Sequence, residues 1–173
     1  MRRPNGFTLV EILVSITIIA IISVVVVQAF VSIIRVNTKT EALKEVKQNG
    51  EYVLSVLTRK IQNSTEITST CDGTNVNTLQ VIKRNTDGTT EYDSVFSINS
   101  GVIYLAEGAG APEKIISDRV YAEILTFNCT EVREQPARVT VRFVLRQNTI
   151  GAATFETARQ VFRDTIQTRN LYL

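Results

Sequence analysis

The sequence contains no histidine and no tryptophan, a single methionine, three prolines and two cysteines. Without histidine it lacks the commonest metal ligand and the commonest general base at neutral pH, so an enzyme reading starts weak. An excess of one charge sign is also missing. Nineteen basic residues face 17 acidic ones for a formal net charge of +2, too balanced for a chain built around a polyanion. No glycine-rich phosphate loop, nucleophile elbow or paired-carboxylate spacing occurs, so no cofactor and no catalysis are expected.

What is present in quantity is apolar residues, 44% of 173. Once the N-terminal apolar stretch is set aside, that is enough for one modest globular domain. From Ile12 to Ile34 the chain is Ile, Leu, Val, Ala and Phe, interrupted by Ser15, Thr17, Ser23, Gln28 and Ser32 without proline or glycine. Counted from Phe7, a helix of this length spans a hydrocarbon core of about 30 Å at roughly 1.5 Å per residue. Lipid offers the backbone no partners, so an isolated span must be helical despite its many β-branched residues. Arg2 and Arg3 precede it, and the basic-residue bias that sets membrane orientation predicts a cytoplasmic N-terminus with the rest of the chain outside.

Glu11 stands near the start of this apolar run. A carboxylate in hydrocarbon costs roughly 2.5 kcal/mol or more and calls for a partner. A secretory signal peptide, with an apolar region of about 7 to 15 residues and no acid, fits poorly. An ordinary membrane anchor gives no reason for Gly6 and Phe7 to stand before a carboxylate.

Taken together, Gly6, Phe7-Thr-Leu-Val-Glu11 and the apolar stretch resemble the class III signal of type IV pilins and pseudopilins. The resemblance implies cleavage after Gly6 by a membrane-embedded prepilin peptidase, methylation of the new amine on Phe7, and assembly of the helix with other pilin subunits on an inner-membrane platform. The subunit would reside in membrane lipid before assembly. It also implies that Glu11 meets the Phe7 amine of a neighbouring subunit, giving both charges a partner and setting the stagger of the filament.

Beyond Arg35, apolar residues recur at Ala42, Leu43, Val46, Val53, Val56, Leu57 and Ile61, spacings that predict an amphipathic helix to about Ser64. Gly50 predicts a soft point or bend within it. Residues 64–78, rich in Thr, Ser, Asn and Gly, read as a loop, with Asp72-Gly-Thr-Asn75 as a plain turn too poor in oxygens for calcium. Strand signals follow at 79–83, 92–98, 102–105, 114–116, 120–128 and 137–146, with turns at Asp87-Gly88 and Asn99-Ser-Gly101. The expected fold is α+β: a long N-terminal helix packed on an antiparallel sheet. The organisation expected is a leader at 1–6, a membrane and filament-core helix at 7–35, its amphipathic continuation at 36–66, and a β-rich extracytoplasmic head at 67–173.

Within the head, Val139, Val141, Phe143 and Leu145 alternate with Arg138, Arg142 and Arg146, which places an apolar face against a basic one on one strand. The basic stripe suits an acidic neighbouring subunit or DNA phosphates, and its plain reading is a solvated strand face. Cys71 and Cys129 would close a loop of roughly 60 residues worth about 4 kcal/mol; the alternative is two buried thiols. Phe162 and Thr165 running into Arg169-Asn170 resemble the closing strand of J-type pseudopilins and W-type minor pilins. That likeness implies a minor structural subunit of a type IV pilus or a type II secretion pseudopilus, with a filament-borne module for DNA or surface capture as the competing class.

Overall fold

The computed structural model describes residues 8–69, 71–85, 87–130, 136–148 and 158–169. They form one helix, α1 (Leu9–Asn63), and nine strands: β1 (Glu66–Ile67), β2 (Asp72–Val76), β3 (Leu79–Arg84), β4 (Thr90–Asn99), β5 (Val102–Glu107), β6 (Glu113–Lys114), β7 (Val120–Thr130), β8 (Arg138–Gln147) and β9 (Arg159–Gln167). The architecture is α+β, and the chain divides into two compact units at Thr40 and Glu41.

The first unit is the N-terminal part of α1. Its hydroxyl side chains do not interrupt the helix, because Ser15, Thr17 and Ser23 each donate to the carbonyl four residues back, at 2.7, 2.8 and 2.8 Å. Such back-bonding satisfies a hydroxyl inside the helix's own ladder, the one source of partners that hydrocarbon leaves open.

In the second unit α1 presents a stripe at Ala42, Val46, Gly50, Val53, Leu57 and Ile61, all buried. The steps of three and four residues keep these positions on one side of the helix. Leu43, expected on that side, is 40% exposed, one position off the stripe. Gly50 produces no break. It lies on the stripe itself, where the ring of Phe162 occupies the space a Cβ would take, with Cζ only 2.0 Å from that point. The missing side chain serves a close approach of β9 rather than flexibility. The helix ends where Ser64, fully buried, donates its Oγ to the Ile61 carbonyl at 2.7 Å.

Two antiparallel sheets stand where one was expected. The first runs β1-β3-β4-β5-β6 and the second β2-β7-β8-β9. Alternation along a strand tells which side chains are buried but not which strands pair, so the split was invisible to periodicity. Phe96, Leu79, Val81 and Ile103 from the first sheet join Phe127, Val141, Phe143 and Leu145 from the second in one core with the α1 stripe. Each fully buried side chain of this size contributes roughly 1.5–3 kcal/mol.

Residues 64–78 also depart from the loop expectation, since β1 pairs with β3 and β2 with β7. Asp72–Asn75 is a strand with a local irregularity in its pairing, at which Gly73 has φ +86°. The strand expected at 114–116 contracts to Glu113–Lys114, with Ile115 and Ile116 buried just beyond. The turn at Asn99 to Val102 is as read. Ser100 and Gly101 both take positive φ, 49° and 77°, as a two-residue type I′ hairpin requires. The Gly101 carbonyl then accepts from Ala122 N–H at 2.7 Å, linking this hairpin to β7.

The end of α1 is fastened to the first sheet by a half-buried lysine. Lys60 Nζ lies 2.7 Å from Glu107 Oε1 and 4.2 Å over the Tyr92 ring, while Tyr92 Oη donates to the Lys60 carbonyl at 3.0 Å. Burial first, then the Glu91 charge, raises the Tyr92 phenol above its ordinary range.

Candidate functional site

Glu11 occupies the first turn of α1 and is exposed. Its N–H donates to Thr8, to the carbonyl at 3.1 Å and to Oγ1 at 3.3 Å. Thr8 is therefore the N-cap, and Thr8-Leu-Val-Glu11 is the Thr-x-x-Glu pattern of a capping box. The Thr-x-x-Glu spacing is a local sequence signal for this cap, independent of the charge that Glu11 brings to the apolar run. The cap places the carboxylate side chain in the first turn, at the positive end of the helix dipole. Gly6 and Phe7, together with Arg2 and Arg3, lie outside the described residues.

The surface that follows Glu11 is apolar on every side. From Leu9 to Val36 the large hydrophobic side chains are 42–78% exposed. The helix is long and apolar enough to cross a membrane by length and composition. A helical stretch that is hydrophobic all round suits lipid or other helices as surroundings.

In the second unit Cys71 and Cys129 are joined in a disulfide, their Cα atoms 4.4 Å apart. Cys71 directly precedes β2 and Cys129 lies in β7, so the bond reinforces the β2–β7 pairing. Beside it, Asp72 accepts from the Thr74 backbone at 2.9 Å and from its hydroxyl at 2.6 Å. Those bonds, the hydroxyl's foremost, hold the Asp72 carboxyl below its ordinary range. The carboxylate is occupied by bonds within its own strand.

Arg138, Arg142 and Arg146 do lie on one face of β8, opposite the fully buried Val139, Val141, Phe143 and Leu145. The three do not share one environment. A bulge in β7 between Ala122 and Ile124 sets Glu123 out of register, and its carboxylate reaches Arg146 at 3.6 Å and Arg159 of β9 at 2.9 Å. Arg146 also lies over the Tyr121 ring, 4.3 Å from its centroid. Arg142 is exposed and directly opposite Arg163 of β9. The sequence reading singled out β8 alone and missed Arg159 and Arg163, which only the β8–β9 register brings alongside.

Residues 1–27 match the family model of the prokaryotic N-terminal methylation motif. No curated protein and no solved structure matches the chain. The match covers the residues ahead of α1, Glu11 and the early part of the apolar helix.

Proposed function

We propose that this protein is a minor structural subunit of a type IV pilus or a type II secretion pseudopilus, working by assembly rather than catalysis. The methylation motif at residues 1–27 carries the reading: it is consistent with a type IV pilin or pseudopilin, implies processing by prepilin peptidase and assembly with other pilins, and fits membrane anchoring through the apolar helix. In the order proposed, residues 1–6 are removed after Gly6 and Phe7 becomes a methylated N-terminal amine. Residues 7–35 then hold the chain in the inner membrane with the head at 67–173 outside the cytoplasm. The assembly platform transfers the helix, continued by residues 36–66, from lipid into a filament core.

Glu11 is the register residue of that step. Set by the Thr8 cap in the first turn and exposed on an apolar helix, its carboxylate gains a counter-charge when the Phe7 amine of an adjacent subunit arrives, and the attraction offsets part of the desolvation cost of both charges. Glu11→Ala is expected to leave leader cleavage intact, seen as the mobility shift of the mature chain. Its incorporation into sheared filaments should fall on the order of tenfold or more, since one partner of a buried charge pair is lost. Normal incorporation would remove the register role; absence of cleavage in the unaltered chain would remove the pilin reading itself.

A further inference from the structure

The outer face of the second sheet carries cations of one kind only. Every basic residue on β2, β7, β8 and β9 is arginine and none is lysine. Arginine presents a planar fork that grips carboxylates two bonds at a time, and it is enriched in protein–protein interfaces where lysine is depleted. Arg142 and Arg163 stand directly opposite one another on adjacent strands, both exposed. Like charges so placed oppose folding. Among the described residues no carboxylate is bonded to either, nor to Arg138, whereas Glu123 has been brought out of register to hold Arg146 and Arg159.

Between the neutralised pair and the open pair lies an aliphatic row, with Ile124, Val144 and Val161 in register. Val144 is fully buried, but Ile124 is 38% and Val161 49% exposed. A polynucleotide would want exposed aromatic rings on which to stack bases; the ring on this face, Tyr121, is covered by Arg146. Two guanidiniums with no carboxylate bonded to them among the described residues, beside an aliphatic ledge, complement a protein segment that carries carboxylates next to an aliphatic side chain.

We infer that this face docks an acidic segment of a partner protein, whose carboxylates are held by Arg142 and Arg163 and whose aliphatic side chain lies along Val161 and Ile124. The inference does not depend on the filament reading, and its test does not involve assembly. The full chain in detergent micelles is titrated into a fluorescent peptide of alternating glutamate and valine, into its glutamine counterpart, and into a single-stranded oligonucleotide of equal charge, at about 0.15 M salt. The glutamate peptide should bind about tenfold or more tighter than the glutamine one, a difference of roughly 1.4 kcal/mol. Arg142→Glu with Arg163→Glu should abolish that preference. Arg146→Gln, already engaged by Glu123, should change it less than about twofold. Arg163→Gln relieves the repulsion and should melt no lower than the unaltered chain, so a loss of peptide binding in this variant is not a loss of fold. Equal binding of the two peptides, unchanged binding by Arg163→Gln, or an oligonucleotide bound more tightly than the glutamate peptide would each overturn the assignment, the last in favour of nucleic acid.

Discussion

Between Leu9 and Val36 the large apolar side chains of α1 are 42–78% exposed, whereas Val46, Val53, Leu57 and Ile61 of the same helix are fully buried. Valine and isoleucine occur in both stretches, at exposed positions in one and buried positions in the other, so side-chain type alone does not decide burial. Patterning does. The first stretch is apolar on all sides and closes Ser15, Thr17 and Ser23 onto its own carbonyls; the second gathers its buried apolar residues in one stripe and gives most of the other positions to Lys, Glu, Gln and Asn. A stripe is what a helix needs against a sheet, and an all-round surface is what it needs when its surroundings are lipid or other helices. One helix thus carries two sets of folding instructions for two media.

The comparison breaks most sharply under the same substitution in both stretches. Val46→Lys places an unpaired ammonium at a fully buried position and should cost about 5 kcal/mol or more, enough to unfold the head. Val25→Lys, at a position 62% exposed, should leave the melting temperature of the detergent-solubilised head unchanged while opposing membrane insertion by roughly 2.5–3.5 kcal/mol. Thermal melts and carbonate extraction from membranes measure the two effects. A lowered melt for Val25→Lys would contradict the division.

The next largest effect belongs to the head alone. Cys71 and Cys129 are 58 residues apart in sequence, and opening a loop of that length removes about 4 kcal/mol in the chain-entropy model. Urea unfolding with and without reductant should show that loss, with no change in the helicity that the apolar stretch retains in micelles. An unmoved midpoint would mean that the β2–β7 ladder holds the segment unaided.

These two expectations also mark where the sequence was legible. The apolar run, the stripe from Ala42 to Ile61 and the alternation in β8 are periodic signals, and each emerges in the structure at nearly the residues expected. The division into two sheets, β1 and β2 were not legible, because an edge segment such as Asp72-Gly-Thr-Asn-Val76 has no strand-forming composition and is extended only through bonds that β7 supplies. The candidate site was legible in the same uneven way. Glu11 and the β8 arginines stood out as residue types in a pattern, while Arg163 became part of the face through a register that no local signal encodes. Gly50 was misjudged for a related reason: its missing side chain has meaning only once Phe162, more than a hundred residues later, is brought against it.

Gly50→Ala converts that misjudgement into a measurement. On helix propensity alone the change should stabilise by roughly 1 kcal/mol. The new Cβ would fall 2.0 Å from Phe162 Cζ, and that ring cannot readily retreat, being 7% exposed and stacked on Phe143 at 4.9 Å between centroids. Overpacking of this kind costs about 1–3 kcal/mol and occasionally more, so after the propensity gain of roughly 1 kcal/mol a net loss of about 1 kcal/mol is expected. Phe162→Leu in the Gly50→Ala background should recover part of it, a coupling that a double-mutant cycle isolates. A stabilised Gly50→Ala would restore the soft-point reading and blur the contrast between the two stretches.

The smallest effect is confined to acid. Asp72 and Asp87 each accept a hydroxyl and a backbone N–H from the threonine two residues on, Thr74 and Thr89, and in both the hydroxyl bond is the larger cause of a carboxyl held below its ordinary value of 3.8. A folded-state value below the unfolded one means that the unfolded chain takes up protons first as pH falls. The contribution is therefore complete above about pH 4 and is lost as pH drops through the lowered folded values. Asp72→Asn with Asp87→Asn should flatten this part of the stability profile and leave the neutral-pH melt almost unchanged, both turns being exposed. Since α1 between Leu9 and Thr40 carries no such turn, an equal acid response in its helicity would mean that the titration is being felt elsewhere than in the head.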